Sequence, residues 1–196
     1  MSFYKEMDFA TFDYYLNILG ERIENCGESF DIVIYGGFAL IAYYDSPRTM
    51  TRDADIGFMY EVIDPDTTSV IQEAEAMADE YDLDYAWFNA DQYQHINDRI
   101  RASCTLEETY GGINVYVPSA EALLALKVTA CRVAEGESND GIDIQHLISY
   151  TGIEADADTL YELALQFCPD EIRDEWNYKN GIRYAKLQAF LERYYG

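Results

Sequence analysis

The chain has 196 residues, 49% of them apolar, which is enough for one packed domain with a small appendage and excludes a disordered tail. Thirteen basic residues face 37 acidic ones, a formal net charge of −24. That balance excludes a broad phosphate-tracking surface, argues against non-specific duplex binding and predicts repulsion from anionic membranes. No apolar run reaches the ~18 residues of a membrane span, and Met1–Glu6 lacks the basic head and apolar stretch of a signal peptide, so a soluble, cytoplasmic protein is expected.

Apolar residues recur at helical spacing from Met7 to Cys26 (Phe9, Phe12, Tyr15, Leu16, Leu19, Ile23), and Gly27 ends the run. Asp31-Ile32-Val33-Ile34-Tyr35 then reads as a buried strand. Gly36-Gly37 follows, and Phe38 to Tyr44 suits a helix. After a polar loop, Asp45 to Arg52, the stretch Asp53 to Tyr60 alternates polar and apolar residues with strand periodicity. Pro65 closes it, and Thr67 or Thr68 caps a predicted helix to about Tyr81. Tyr85 to Phe88 reads as a short strand, whereas Asn89 to Arg99 shows no clear pattern.

Two further strands are expected at Ile100 to Leu106 and Ile113 to Val117, with a hairpin turn at Gly111-Gly112. Beyond Pro118, Ser119-Ala120-Glu121 opens a helix from Ala122 to Ala134. Glu135 to Asn139 is a polar break, and helices are expected at Gly141 to Tyr150, Asp156 to Phe167 and Tyr178 to Tyr195. The chain thus divides into an αβ part, residues 1–118, and a helical part, residues 119–196, with no long linker between them, so the two are expected to pack as one body. Trp176, Tyr178, Tyr184, Phe190, Tyr194 and Tyr195 form an aromatic tail suited to core and partner contacts.

Cys26, Cys104, Cys131 and Cys168 are far apart and form no CxxC pair, so they read as reduced thiols. His95 and His146 cannot make a zinc site without carboxylate help. The chemistry lies elsewhere. On a strand, Asp53 and Asp55 share one face, about 7 Å apart, while Ala54, Ile56 and Phe58 face the core. Paired carboxylates suit a hard cation, and Mg²⁺ completes its shell with water and substrate phosphates. Gly36-Gly37 lets the backbone approach a phosphate at a helix N-terminus. A Gly-Gly pair alone also serves as a tight turn, and a DxD as a solvated strand face. The order of strand, glycine pair, helix, basic loop and DxD strand is what points to metal-assisted phosphoryl chemistry.

The run Ile34-Tyr35-Gly36-Gly37-Phe38-Ala39-Leu40, then Arg48, then Thr51-Arg52-Asp53-Ala54-Asp55-Ile56, resembles the nucleotidyltransferase superfamily of the DNA polymerase β type. Within it, the likeness is to the small bacterial branch that includes the AbiEii-type abortive-infection toxins. Ala125-Leu126-Lys127, Arg132 and Asp140 to Asp143 resemble that branch's later elements. The resemblance implies an α+β fold: a polymerase β-like core with a small mixed sheet, then a helical region. It also implies transfer of a nucleoside monophosphate from an NTP to an acceptor hydroxyl on RNA, protein or a small molecule, with an antitoxin as possible partner. Asp53 and Asp55 would hold Mg²⁺, with Lys127 and Asp140 as further catalytic residues. Gly36, Gly37, Arg48, Thr51, Arg52 and Arg132 would bind the nucleotide. The family's third carboxylate finds Asn114 in the candidate strand, and Asn139 stands where a lysine commonly precedes Asp140. A nucleotide-binding or interaction module with weakened catalysis is therefore the alternative. A high-salt habitat would also account for the acidity.

Overall fold

The computed structural model describes residues 6–130, 139–168, 173 and 181–196. The architecture is α+β and falls into two units: residues 1–96 with 104–118, and residues 97–103 with 119–196.

In the first unit, α1 (Phe9–Asn25) begins where the Asp8 carboxylate accepts from the Thr11 N–H. It ends at Gly27, whose φ of 75° suits glycine. A four-stranded mixed sheet follows in the order β2-β1-β4-β3, built from β1 (Phe30–Tyr35), β2 (Asp55–Phe58), β3 (Thr105–Tyr110) and β4 (Ile113–Val117). Strand β1 runs antiparallel to β2 and parallel to β4, and β3 and β4 form the expected hairpin at Gly111-Gly112. Register puts Ile32, Ile34, Ile56, Phe58, Ile113, Val115 and Val117 on one face, and all are buried. Helix α1 lies against β3 and β4, where Gly20 lets the Tyr110 backbone come close. The Gly112 N–H donates to the Gly20 carbonyl at 2.9 Å. Helices α2 (Gly36–Tyr43) and α3 (Ser69–Tyr81) complete the layer, with the Phe12 ring packed at a tilt against Phe38 and Trp87.

The structure corrects several expectations. Strand β2 covers only Asp55–Phe58, so Asp53 precedes it in the loop. Tyr85–Phe88 is a 3₁₀ turn, not a strand: Asp84 caps it by accepting from the Ala86 N–H, and the buried Trp87 indole donates to the Ala74 carbonyl. The segment expected as a strand from Ile100 splits into helix α4 (Asp98–Ala102), capped by Asn97 through the Arg99 and Ile100 N–H groups, and the later β3. Helix α2 also starts two residues before Phe38, at Gly36 itself.

The second unit contains α4, α5 (Ala120–Ala130), α6 (Asn139–Thr151), α7 (Ala157–Phe167) and α8 (Ile182–Tyr195). Helix α5 packs on α6 and α7, and α7 on α8. The Asp156 carboxylate caps α7 by accepting from the Thr159 N–H. Helix α6 starts at Asn139, two residues ahead of expectation. Arg132, Cys131, Trp176, Tyr178 and most of the polar break lie outside the described residues. Among the described residues no helix is long and apolar enough to cross a membrane, and Cys26, Cys104 and Cys168 form no disulfide.

Candidate active site

The candidate site is built where β1 ends. Antiparallel register sets Asp55 opposite Tyr35, the last residue of β1, so Asp55 lies beside the turn into α2. Gly36 makes that turn with φ of 70°, a conformation costly for any residue with a Cβ. A Cβ there would overlap Asp55 Oδ2 and lie 3.0 Å from Asp55 Cγ. The carboxylate thus occupies the space left by the missing side chain. One residue on, a Cβ at Gly37 would lie 2.9 Å from Arg48 Nη1. An acid and a guanidinium therefore flank the two glycines. No side chain caps α2, so its leading N–H groups retain their capacity to donate.

The loop before β2 is tied down. Thr51 is buried, exchanges backbone hydrogen bonds with Met7 at 2.7 and 3.0 Å, and approaches Asp53 O and Oδ1 with its hydroxyl at 3.2 and 3.4 Å. Thr51 thereby orients Asp53. The Arg48 N–H donates to Ser46 Oγ at 3.2 Å. Asp53 and Asp55 are half-buried and Arg52 is exposed, while Ala54, Ile56 and Phe58 point into the core as expected.

Residues 89–96 had no assigned role, yet they brace this end of the sheet. Asn89 donates its N–H to the Ala54 carbonyl at 2.9 Å and accepts from the Ile56 N–H at 2.7 Å. Asp55 is thus bracketed by β1 on one side and Asn89 on the other. The Tyr35 hydroxyl donates to the Gln92 carbonyl at 2.8 Å, and Ile96 packs where Gly57 lacks a side chain. Burial, then the charges of Asp55 and Asp91, push the Tyr35 phenol well above its ordinary pKa, so it stays a donor. The bracket uses main-chain groups, which leave no mark on residue type. The one local signal is the Asn89 side chain, whose Oδ1 accepts from the Asp91 N–H at 3.0 Å.

Asn114 does not stand in the Asp55 row. The parallel register puts it opposite Asp31, where its Nδ2 donates to Asp31 Oδ1 at 2.7 Å and its Oδ1 accepts from Thr109 at 3.0 Å. Asp31 is four residues before Tyr35, roughly 13 Å along the strand. On the face that carries Asp55, the β4 residue nearer the turn is Tyr116, opposite Val33.

In the second unit, Lys127 Nζ lies 2.8 Å from Asp140 Oδ1 and 2.8 Å from Asp143 Oδ2. Asp143 is fully buried, and it and Asp140 share one face of α6. Burial pulls the ammonium pKa down, but the charges of Asp143 and Asp140 outweigh it and the net shift is upward. Lys127 and Asp140, each expected as a catalytic residue, are brought together as an ion pair, and Asp143 joins them. Among the described residues no group of three or more His, Cys, Asp or Glu side chains is arranged to hold a metal.

No protein-family model matches the chain, and no curated protein matches its sequence. Among solved structures it is similar to an antigenic nucleotidyltransferase-like protein from Paracoccidioides brasiliensis, with a TM-score of 0.50 at 16% identity. The likeness covers 96% of this chain and 89% of that one. The chain therefore has a nucleotidyltransferase-like α+β fold, a small mixed sheet with flanking helices followed by further helices.

Proposed function

We propose that the chain transfers a nucleoside monophosphate from a nucleoside triphosphate to an acceptor hydroxyl, with Mg²⁺ held by Asp53 and Asp55. The observation that carries this reading is the Gly36 turn closed against the Asp55 carboxylate. It puts an acid, an unshielded stretch of backbone and a helix N-terminus at one spot. The donor set fits the ion, since Mg²⁺ is commonly held by one or two carboxylates with water and substrate phosphates filling the shell. When bound, it would neutralise phosphate charge and acidify the attacking hydroxyl.

The chain's own residues divide the remaining work. The N–H groups at the start of α2 face the phosphates. Arg48, beside Gly37, and Arg52 supply positive charge in a strongly acidic chain. Thr51 holds Asp53 in place. The Lys127 ammonium is already matched by Asp140 and Asp143, so its part in this reading is to order α5 against α6. A partner antitoxin belongs to the same reading and rests on the sequence resemblance, while a cytoplasmic site of action rests on composition.

The test is label transfer. The protein is incubated with Mg²⁺, each labelled NTP and a total RNA plus protein extract, beside an Asp53→Asn, Asp55→Asn double variant. Transfer by the native protein alone supports the enzyme. Binding of Mg-NTP without transfer replaces it with a nucleotide-binding module. Neither binding nor transfer overturns both.

A further inference from the structure

We infer that Met7 is a positioning residue for the carboxylate pair: it sets Asp53, and not Asp55, through the main chain of Thr51. The inference rests on the nucleotidyl-transfer reading. Met7 lies just ahead of α1 and pairs antiparallel with Thr51. Its N–H donates to the Thr51 carbonyl at 2.7 Å, and its carbonyl accepts from the Thr51 N–H at 3.0 Å. Both residues are buried. The next residue, Asp8, caps α1, so the segment runs directly into a fixed helix end. Within α1, Phe12 packs against Phe38 with ring centroids 4.1 Å apart, and Phe9 stacks on the same ring at 6.2 Å. Phe38 is the third residue of α2, directly after Gly36 and Gly37. Residues 7–12 therefore touch both sides of the site, the loop of Asp53 and the start of α2.

The two carboxylates are held by different means. Asp55 belongs to β2, pairs with Tyr35 of β1 and is flanked by the Asn89 main chain. Asp53 stands in the loop before β2, where the Thr51 hydroxyl reaches its carbonyl and its carboxylate at 3.2 and 3.4 Å. A hydroxyl orients a carboxylate only when its own main chain is fixed, and Met7 fixes it. Groups that orient a metal ligand from behind are commonly worth about 10–100-fold in metal affinity. Releasing Met7 thus loosens one acid of the pair and leaves the other in the sheet.

The experiment measures Mg²⁺-dependent binding of each labelled NTP to the full chain. Met7→Pro removes the N–H that donates to Thr51, whereas Met7→Leu keeps both bonds and an apolar side chain. The Mg²⁺ concentration at half-saturation should rise about tenfold in Met7→Pro and stay within about twofold of native in Met7→Leu. A double-mutant cycle then separates positioning from general support of the fold. In an Asp53→Asn background, which keeps one ligand oxygen, Met7→Pro should add less than about twofold. In an Asp55→Asn background it should add nearly its full effect. If circular dichroism shows that Met7→Pro does not fold, Met7→Gly, which keeps the N–H and loses the buried side chain, takes its place in the cycle. Equal effects in the two backgrounds, or a native half-saturation in the folded variant, overturn the assignment and leave nucleotidyl transfer standing. A half-saturation moved by neither Asp53→Asn nor Asp55→Asn overturns both.

Discussion

The Asp55 carboxylate fills the space that a side chain on Gly36 would need. Two penalties therefore meet in Gly36→Ala. The left-handed φ of 70° costs about 1–2 kcal/mol for a residue with a Cβ, and the methyl group must push the carboxylate aside. A displacement of about 1 Å in a reacting group can cost ~10²-fold in rate. Gly36→Ala should therefore lower label transfer about a hundredfold. Gly37→Ala meets only the flexible end of Arg48 and should stay within about tenfold of native. Circular dichroism of both variants separates loss of rate from loss of fold.

Lys127 offers a stability test that does not depend on catalysis. Breaking a buried ion pair by removing one partner costs about 3–5 kcal/mol, because the remaining charge stays buried. Lys127→Met strands Asp143, which is fully buried, and should lower the urea midpoint sharply. Asp140→Asn should cost less, since Asp140 is partly exposed and Asp143 still faces the ammonium.

The pH dependence of the same group has a definite sign. Its folded pKa is raised, so its contribution is fully present below the unfolded value of ~10.4. It is lost only as pH rises through the higher folded value. Chemical denaturation between about pH 7 and pH 11 should show native stability falling at the alkaline end, and Lys127→Met should fall less, keeping only the share that comes from raised phenols such as Tyr35.

How much of this was legible beforehand follows from where each signal resides. Gly36-Gly37 and the alternation around Asp55 are local, so the turn, the β2 core face and the order of elements could be read from residue types. Trp87 could not: its burial against Phe12 and its bond to the Ala74 carbonyl are tertiary, and they make a 3₁₀ turn of a stretch with strand composition. Asn97 is a helix-capping residue type, and the short helix it opens, Asp98–Ala102, has too few residues to show a period. The Asn89 bracket is made by the main chain. The true row of Asn114 needs the parallel register of β1 and β4, strands far apart in sequence. Lys127 and Asp140 were marked by a resemblance, but their pairing, and that with Asp143, required knowing which face of α6 turns toward α5.

At acid pH the helix caps should contribute to the loss of structure. Hydrogen bonds from the Thr11 side chain and N–H hold the Asp8 carboxyl below its usual pKa, and Thr159 does the same for Asp156. A depressed folded pKa means the caps stabilise above the unfolded value of ~3.9 and fade as pH falls through the folded one. Asparagine keeps an acceptor oxygen and does not titrate. The Asp8→Asn, Asp156→Asn double variant should therefore melt like the native protein near neutrality, and between about pH 4 and pH 2 its thermal midpoint should fall less steeply.

The brace over the Asp55 end of the sheet can be loosened by one atom. Tyr35→Phe removes the hydroxyl that donates to the Gln92 carbonyl and leaves the buried ring in place. Loss of one such bond costs about 0.5–1.5 kcal/mol, so the protein should remain folded with a slightly lower midpoint. The local effect should be larger. Gln92 lies in the segment that runs from the Asn89 bracket to Ile96, and freeing it relaxes the outer edge of β2 at Ala54 and Ile56. Hydrogen exchange of the Asn89 and Ile56 amides should quicken in Tyr35→Phe, while Ile32 and Val115, in the sheet centre, keep their protection. Equal quickening at all four amides would mean that the phenol supports the whole sheet instead of the Asp55 edge.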